Sequence, residues 1–253
     1  MKGKKIKIAG VLLVSTMLAV TSLAACGTKT TSKSTGSSGS TTTVSASDMF
    51  TKRDLDSGYD ESKATKIKLS DSKTTVSGDG AKFSSENGVN TVTITKEGTY
   101  ILSGKLNGQV VVNTDKTAKV QIVLKGATVS GKSTAAIYVK QADKVFLTLA
   151  ANSENILTET GEFASDNSST VDGVIFSKDD LSINGTGLLK ISTESGHGVV
   201  SKDDLVIASG TIEIKSSGHG LQGKDSVRIA GGTIAINSSN DGIHSENKDD
   251  SNL

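Results

Sequence analysis

Carboxylates, ammonium groups and imidazoles recur in this chain at nearly regular intervals, and the chemistry such a pattern suits is the handling of cations and anions. Lys178-Asp179-Asp180, Lys202-Asp203-Asp204 and Lys224-Asp225-Ser226 are three versions of one beat. If the copies stack, Asp179, Asp203 and Asp225 form one column and Asp180 and Asp204 the next. Stacked strands lie ~4.8 Å apart, and like carboxylates held that closely repel. Lys178, Lys202 and Lys224 can offset the repulsion by ion pairing. A hard cation such as Ca²⁺ can also do it, collecting carboxylate and carbonyl oxygens at ~2.3–2.6 Å. The spacing matches neither an EF-hand loop nor the nonapeptide calcium repeat, so the residues leave both remedies open. Asp172, His197, His219 and Asp241 form a second expected column, each just before a glycine that permits positive φ or a tight corner. Stacked histidines there could bind a transition metal, with Asp172 and Asp241 extending the site. Capping a turn is their plainer role. Arg53 and Arg228 are the only arginines. Arg228 falls on the outward side of a strand, from which it is expected to reach solvent.

The elements that must carry these residues are short strands in a repeating unit. Units open at Asp172-Gly173, His197-Gly198, His219-Gly220 and Asp241-Gly242, at spacings of 25, 22 and 22 residues. Each runs through the same beats, as in Leu181-Ser182-Ile183, Leu205-Val206-Ile207 and Val227-Arg228-Ile229. A third beat follows at Leu188 to Ile191, Thr211 to Ile214 and Thr233 to Ile236. Three alternating strands per unit place one row of each strand inward. A unit this short cannot bury its apolar row alone, so successive units must stack. The expected fold is all-β, a right-handed parallel β-helix with three short strands per coil. A stacked β-sandwich is the alternative. Val120 to Leu124, Ala136 to Val139 and Lys144 to Leu149 read as upstream strands, Thr91 to Leu102 and Gly108 to Val112 as the first ones, and Thr158 to Thr170 as an inserted loop. Asp48 to Asp60 lacks alternation and is expected to form a short helix or cap.

Composition agrees. The chain has 27 Gly and no Pro or Trp, which favours strands and tight turns over helices. A net charge of +1 excludes a strong general attraction to nucleic acid or to an anionic membrane. Residues 1–26 read as a lipoprotein signal peptide. Lys2, Lys4, Lys5 and Lys7 precede an apolar stretch, and Leu23-Ala24-Ala25-Cys26 forms a lipobox. Cys26, the only cysteine, is the expected site of lipidation, which would anchor the chain on the extracellular face of the bacterial cell membrane. Residues 27–47, rich in Ser, Thr and Gly, are expected to be a disordered linker. Residues 48–253 form the expected β-helix domain. Its fourth unit stops after one beat, and a truncated solenoid is the expectation.

The beats from Asp172 to Leu181, His197 to Leu205 and Gly223 to Val227 resemble those of the carbohydrate-binding domain family of clostridial cell-surface proteins. The resemblance covers Lys119 to Asp250. It implies a pectate-lyase-like right-handed β-helix, binding of polygalacturonate, and bound calcium. On that reading Asp179, Asp180, Asp203, Asp204, Asp225 and Asp241 are the expected calcium ligands. Lys178, Lys202, Lys224 and Arg228 are the expected contacts to an acidic polysaccharide. β-Helix lyases need a Lys or Arg base beside calcium, but no Lys or Arg here breaks the repeat as a catalytic residue usually does. The expected function is therefore non-catalytic binding by a monomeric surface lipoprotein, with no catalytic residues. A calcium-dependent lyase and a structural spacer or adhesin are the alternatives.

Overall fold

The structure, a computed structural model, describes residues 49–163 and 170–247. The expected leader with Cys26 and the linker lie outside the described residues. All described residues belong to one unit, Val44–Leu253. From Lys119 onward the chain winds through three parallel sheets, one strand of each per coil, as the repeat predicts.

The entry is less regular. A one-turn helix, α1 (Lys52–Leu55), is followed by β1 (Thr65–Leu69) and β2 (Thr75–Ser77), an antiparallel pair. β3 (Ala81–Glu86) and β4 (Val89–Ile94) form a second antiparallel pair. Two long strands, β5 (Gly98–Asn113) and β6 (Lys119–Gly131), then bend around corners of the coil without breaking. Their register slips between Leu102 and Gly104. Three coils follow in which each face has its own strand: β7 (Ile137–Gln141), β8 (Lys144–Leu149) and β9 (Glu154–Glu159); β10 (Gly173–Ser177), β11 (Asp180–Gly185) and β12 (Leu188–Ser192); β13 (His197–Ser201), β14 (Asp204–Ile207) and β15 (Thr211–Ser216). A further coil holds β16 (Leu221–Gly223), β17 (Ser226–Ile229) and β18 (Thr233–Ser238), and β19 (Ile243–Ser245) opens the next.

The first face stacks β4, β5, β7, β10, β13, β16 and β19. The second stacks β1, β5, β6, β8, β11, β14 and β17. The third stacks β5, β6, β9, β12, β15 and β18. Apolar residues at alternate positions meet their counterparts in the next coil. Val120, Val145, Leu181, Leu205 and Val227 form one inward column, and Ile122, Leu147, Ile183, Ile207 and Ile229 form its neighbour. Each fully buried aliphatic chain contributes ~1.5–3 kcal/mol. In the last described strands Ile229 and Ile243 are exposed.

Three expectations need correction. The first strands begin at Thr65: Ile67 and Leu69 alternate inward on β1, and the Ser- and Thr-rich run that follows up to Glu86 forms antiparallel strands with little apolar signal. Thr158 and Glu159 complete β9, so they do not belong to the inserted loop; residues 164–169 of that loop lie outside the described residues. The repeat step from β10 to β13 is 24: Gly173 faces His197, and Ile175 faces Val199. Apolar matching of Ile175 with Val199 and of Leu181 with Leu205 sets this register. Asp172 therefore precedes the column of His197 by one position.

The second face is covered from outside by the N-terminal segment. Asn184 donates from Nδ2 to the Asp54 and Asp56 carbonyls at 3.1 and 3.2 Å. The Arg53 guanidinium lies over the Phe146 ring at 5.1 Å. Asp54, 1% exposed, forms an ion pair with Lys144 at 2.9 Å and closes a capping box with Thr51. Burial raises the proton affinity of Asp54, but the Thr51 hydroxyl, the Lys144 ammonium and the Thr51 backbone N–H outweigh it and hold the carboxyl below its ordinary range.

Candidate functional site

The Lys-Asp-Asp beats occupy the corner between the first and second faces. Backbone bonds continue across that corner: Lys178 N–H donates to Val139 O at 3.0 Å, Lys202 N–H to Ser177 O at 2.8 Å, and Lys224 N–H to Ser201 O at 2.9 Å. The three lysines therefore stand in one exposed column. The same ladder places Lys140 at its head, since Ser177 faces Val139. Lys140 belongs to the upstream copy Ile137-Tyr138-Val139-Lys140, and extending the repeat back one coil is the signal that would have found it.

Aromatic rings stand beside this column on the outward row of the first face, where Tyr138 faces Phe176. The rings meet edge to face with centroids 5.8 Å apart. Lys140 Nζ lies 5.9 Å from the Tyr138 ring and Lys202 Nζ 5.2 Å from the Phe176 ring. A groove of about 640 Å³ opens next to them, lined by Tyr138, Lys140, Gln109, Asn113, Thr134 and Lys132 among others. It combines one aromatic ring, two ammonium groups and several amide and hydroxyl groups.

The carboxylates do not gather into one cluster. Asp179 turns back, and its Oδ2 accepts the Ala142 N–H at 3.0 Å. Asp180 lies 3.6 Å from Lys144 Nζ, and its Oδ1 accepts the Asp204 N–H at 3.3 Å. Asp204 pairs with Arg228 and accepts the Ser226 hydroxyl at 2.6 Å. Arg228 and, shared with Asp54, Lys144 thus supply the cations of the inner column, though burial still pushes the Asp180 carboxyl up, while Lys178 and Lys202 stay exposed, Lys202 beside the Phe176 ring. Arg228 also donates to the Met49 carbonyl at 2.8 Å, so it ties the N-terminal segment to the coil instead of reaching freely into solvent. Asp203 and Asp225 remain. They share a side-chain hydrogen bond, and only the Lys224–Asp225 approach, at 3.9 Å, offers them a cation among the ion pairs of the described residues. Burial, then Asp180, then the Asp225 hydrogen bond push the Asp203 carboxyl up to about 6.

Asp241 lies at a different corner, before β19, with His219 and His244. The glycines before which the Asp and His residues stand do not adopt positive φ; Gly185, Gly210 and Gly232, at a further corner, do. Gly198 is needed for close approach instead: a Cβ there would lie 2.6 Å from Gly220 O and 2.5 Å from Ile214 Cγ2.

Residues 88–253 match the family model described as carbohydrate-binding domain-containing protein. A protein of that description from Acetivibrio thermocellus is 35% identical over 128 residues, which cover 49% of this chain and 45% of the relative. The chain thus spans less than half the length of that relative. A solved structure, the polysaccharide lyase-like protein from C. thermocellum as a gadolinium derivative, superposes with a TM-score of 0.69 at 34% identity, covering 74% of this chain and 75% of that one.

Proposed function

The chain belongs to the family of carbohydrate-binding domain-containing proteins, and from that premise we propose that it binds an acidic, pectin-type polysaccharide along the corner formed by Lys140, Lys178, Lys202 and Lys224. The observation that carries this reading is the column itself: one exposed lysine per coil, outside the inner carboxylates Asp180 and Asp204, whose cations are Lys144 and Arg228. A periodic array of cations suits a polymer with one carboxylate per sugar. The Tyr138 groove at the head of the column offers a ring face and amide groups for a sugar's apolar and hydroxyl sides.

Calcium assists in this proposal at Asp203 and Asp225. Neighbouring carboxylates that repel once deprotonated gain from a hard cation bound between them. A bound Ca²⁺ supplies positive charge able to bridge the pair to a uronate. Asp179, Asp180 and Asp204 are engaged elsewhere and position the corner. The binding is non-catalytic and carried by a single chain. A signal peptide and lipidation at Cys26 hold the domain at the extracellular face of the cell membrane. A second reading, polysaccharide lyase, draws on the lyase-like neighbour, with a corner lysine as base.

Retention on insoluble polygalacturonate, with calcium and with EGTA, tests the proposal. Retention that falls at least tenfold in the K140A/K178A/K202A/K224A variant and in EGTA supports it. Equal retention of variant and parent refutes the lysine corner, and insensitivity to EGTA refutes the calcium role. Release of unsaturated uronate, read by its ultraviolet absorbance and lost in a single lysine variant, would establish the lyase reading.

A further inference from the structure

A third imidazole joins the two that the repeat aligns. His197, His219 and His244 stack face to face, with ring centroids 5.0 and 4.2 Å apart and interplanar angles of 6° and 16°. His197 and His219 are brought together by the coil step. His244 comes from the outward row of the first face, opposite Gln222 on β16. The repeat pattern does not mark it.

The δ nitrogens have different partners. His197 Nδ1 accepts the His219 N–H at 2.8 Å, and its Nε2 lies 3.9 Å from Asp172. His197 is thereby committed to the coils on either side of it. His219 Nδ1 accepts the Asp241 N–H at a longer 3.2 Å and lies 3.5 Å from Asp241 Oδ2. The same carboxylate oxygen lies 3.0 Å from His244 Nδ1. One ligand atom from each of His219, Asp241 and His244 falls within 4.8 Å of the others, and no other trio of potential ligands among the described residues does so.

These separations fit one ion. Ligand atoms placed ~2.0–2.2 Å from a tetrahedral centre stand ~3.3–3.6 Å apart; of the two contacts of Asp241, the 3.5 Å one falls within that range and the 3.0 Å one just short of it. Two imidazole nitrogens and one carboxylate suit Zn²⁺ and its neighbours in the transition series, whereas Ca²⁺ takes oxygen ligands. We propose that His219, Asp241 and His244 form a binding site for a divalent transition-metal ion of the Zn²⁺ type, with a coordination position left open to a water or an exogenous oxygen ligand.

Binding requires two small adjustments. The His244 ring must turn from stacked to edge-on, and His219 must exchange its long backbone hydrogen bond for the metal. Asp241 and His244 sit on an outer coil with side chains 62% and 26% exposed, where such movement meets little packing. The site is separate from the proposed calcium pair, since Asp203 and Asp225 occupy the corner ahead of the second face.

Calorimetric titration of the purified full chain, without an affinity tag, with ZnCl₂ in the presence of excess Ca²⁺ tests the proposal. The expected result is saturable 1:1 binding, weakened at least tenfold by His244→Ala and by Asp241→Asn and changed less than twofold by Asp203→Asn. Imidazole NMR signals of His219 and His244 should move on zinc addition, and those of His197 much less. Absence of saturable binding, or less than tenfold weakening in both site variants, overturns it.

Discussion

Replacing Asp203 by Asn should stabilise the calcium-free protein at neutral pH and abolish its stabilisation by calcium. In the folded chain Asp203 binds its proton up to about 6, whereas an unfolded aspartate releases it near 3.8. A raised folded value means that the native state holds the proton more tightly, so the pair costs nothing below about pH 4. The penalty develops as pH rises from ~4 to ~6 and is complete above that. A displacement of this size corresponds to no more than about 3 kcal/mol. Asp203 is partly exposed, and solvent screening reduces the expected gain to ~1 kcal/mol, or ~2–4 °C in melting temperature for a domain of this size. Melting should be followed by circular dichroism, because the chain has no Trp. In EGTA the variant should match the parent near pH 4 and exceed it at pH 7.5. In calcium at 100 times its dissociation constant the parent alone should gain ~2.7 kcal/mol. A variant less stable than the parent at pH 7.5 in EGTA, or one that calcium still stabilises fully, would refute the reasoning.

Three further changes probe the scaffold. Asp54→Ala removes one partner of a buried ion pair and the N3 carboxylate of the capping box that Thr51 closes on α1. Lys144 keeps Asp180 at 3.6 Å, so the loss in denaturant unfolding should be ~2–4 kcal/mol, short of the full cost of an isolated buried charge. Because the Asp54 carboxyl titrates below its ordinary value, its contribution is present above about pH 4 and disappears as pH falls through the folded value; the deficit of the variant should shrink on acidification. Leu205→Ala empties a fully buried place between Leu181 and Val227 and should cost ~2–5 kcal/mol in the same assay. Gly198→Ala drives a methyl into the Gly220 carbonyl of the next coil and should cost ~1–3 kcal/mol, while Gly242→Ala, whose nearest contacts are at 4.0 Å, should melt like the parent.

The repeat made much of the solenoid legible. Leu181, Leu205 and Val227 stack as their spacing requires, because a side-chain period of two leaves one register that keeps every aliphatic chain inside. The column of Lys178, Lys202 and Lys224 follows from that register, and extending it back one coil adds Lys140. Strands β2 and β3 were not legible, since their Ser- and Thr-rich residues carry weak apolar alternation, although Ile67 and Leu69 alternate on β1 and most of β4 falls within the expected strand from Thr91.

Charge pairing was the other part that sequence left open. Spacing along the chain placed the carboxylates in columns, but pairing depends on what other segments bring to the outside of a sheet. Lys144 reaches Asp54 from an upstream segment, and Arg228 reaches Asp204 and the Met49 carbonyl. Asp203 and Asp225 were thereby left facing each other, and Asp241 was drawn to His244 at another corner. The sequence by itself determined the coil, its inward columns and the lysine corner, because these rest on contacts between equivalent positions one step apart. Only the tertiary structure decided which carboxylates are spent and which stay open to a cation, because that depends on contacts between residues up to 179 positions apart, which no local period encodes.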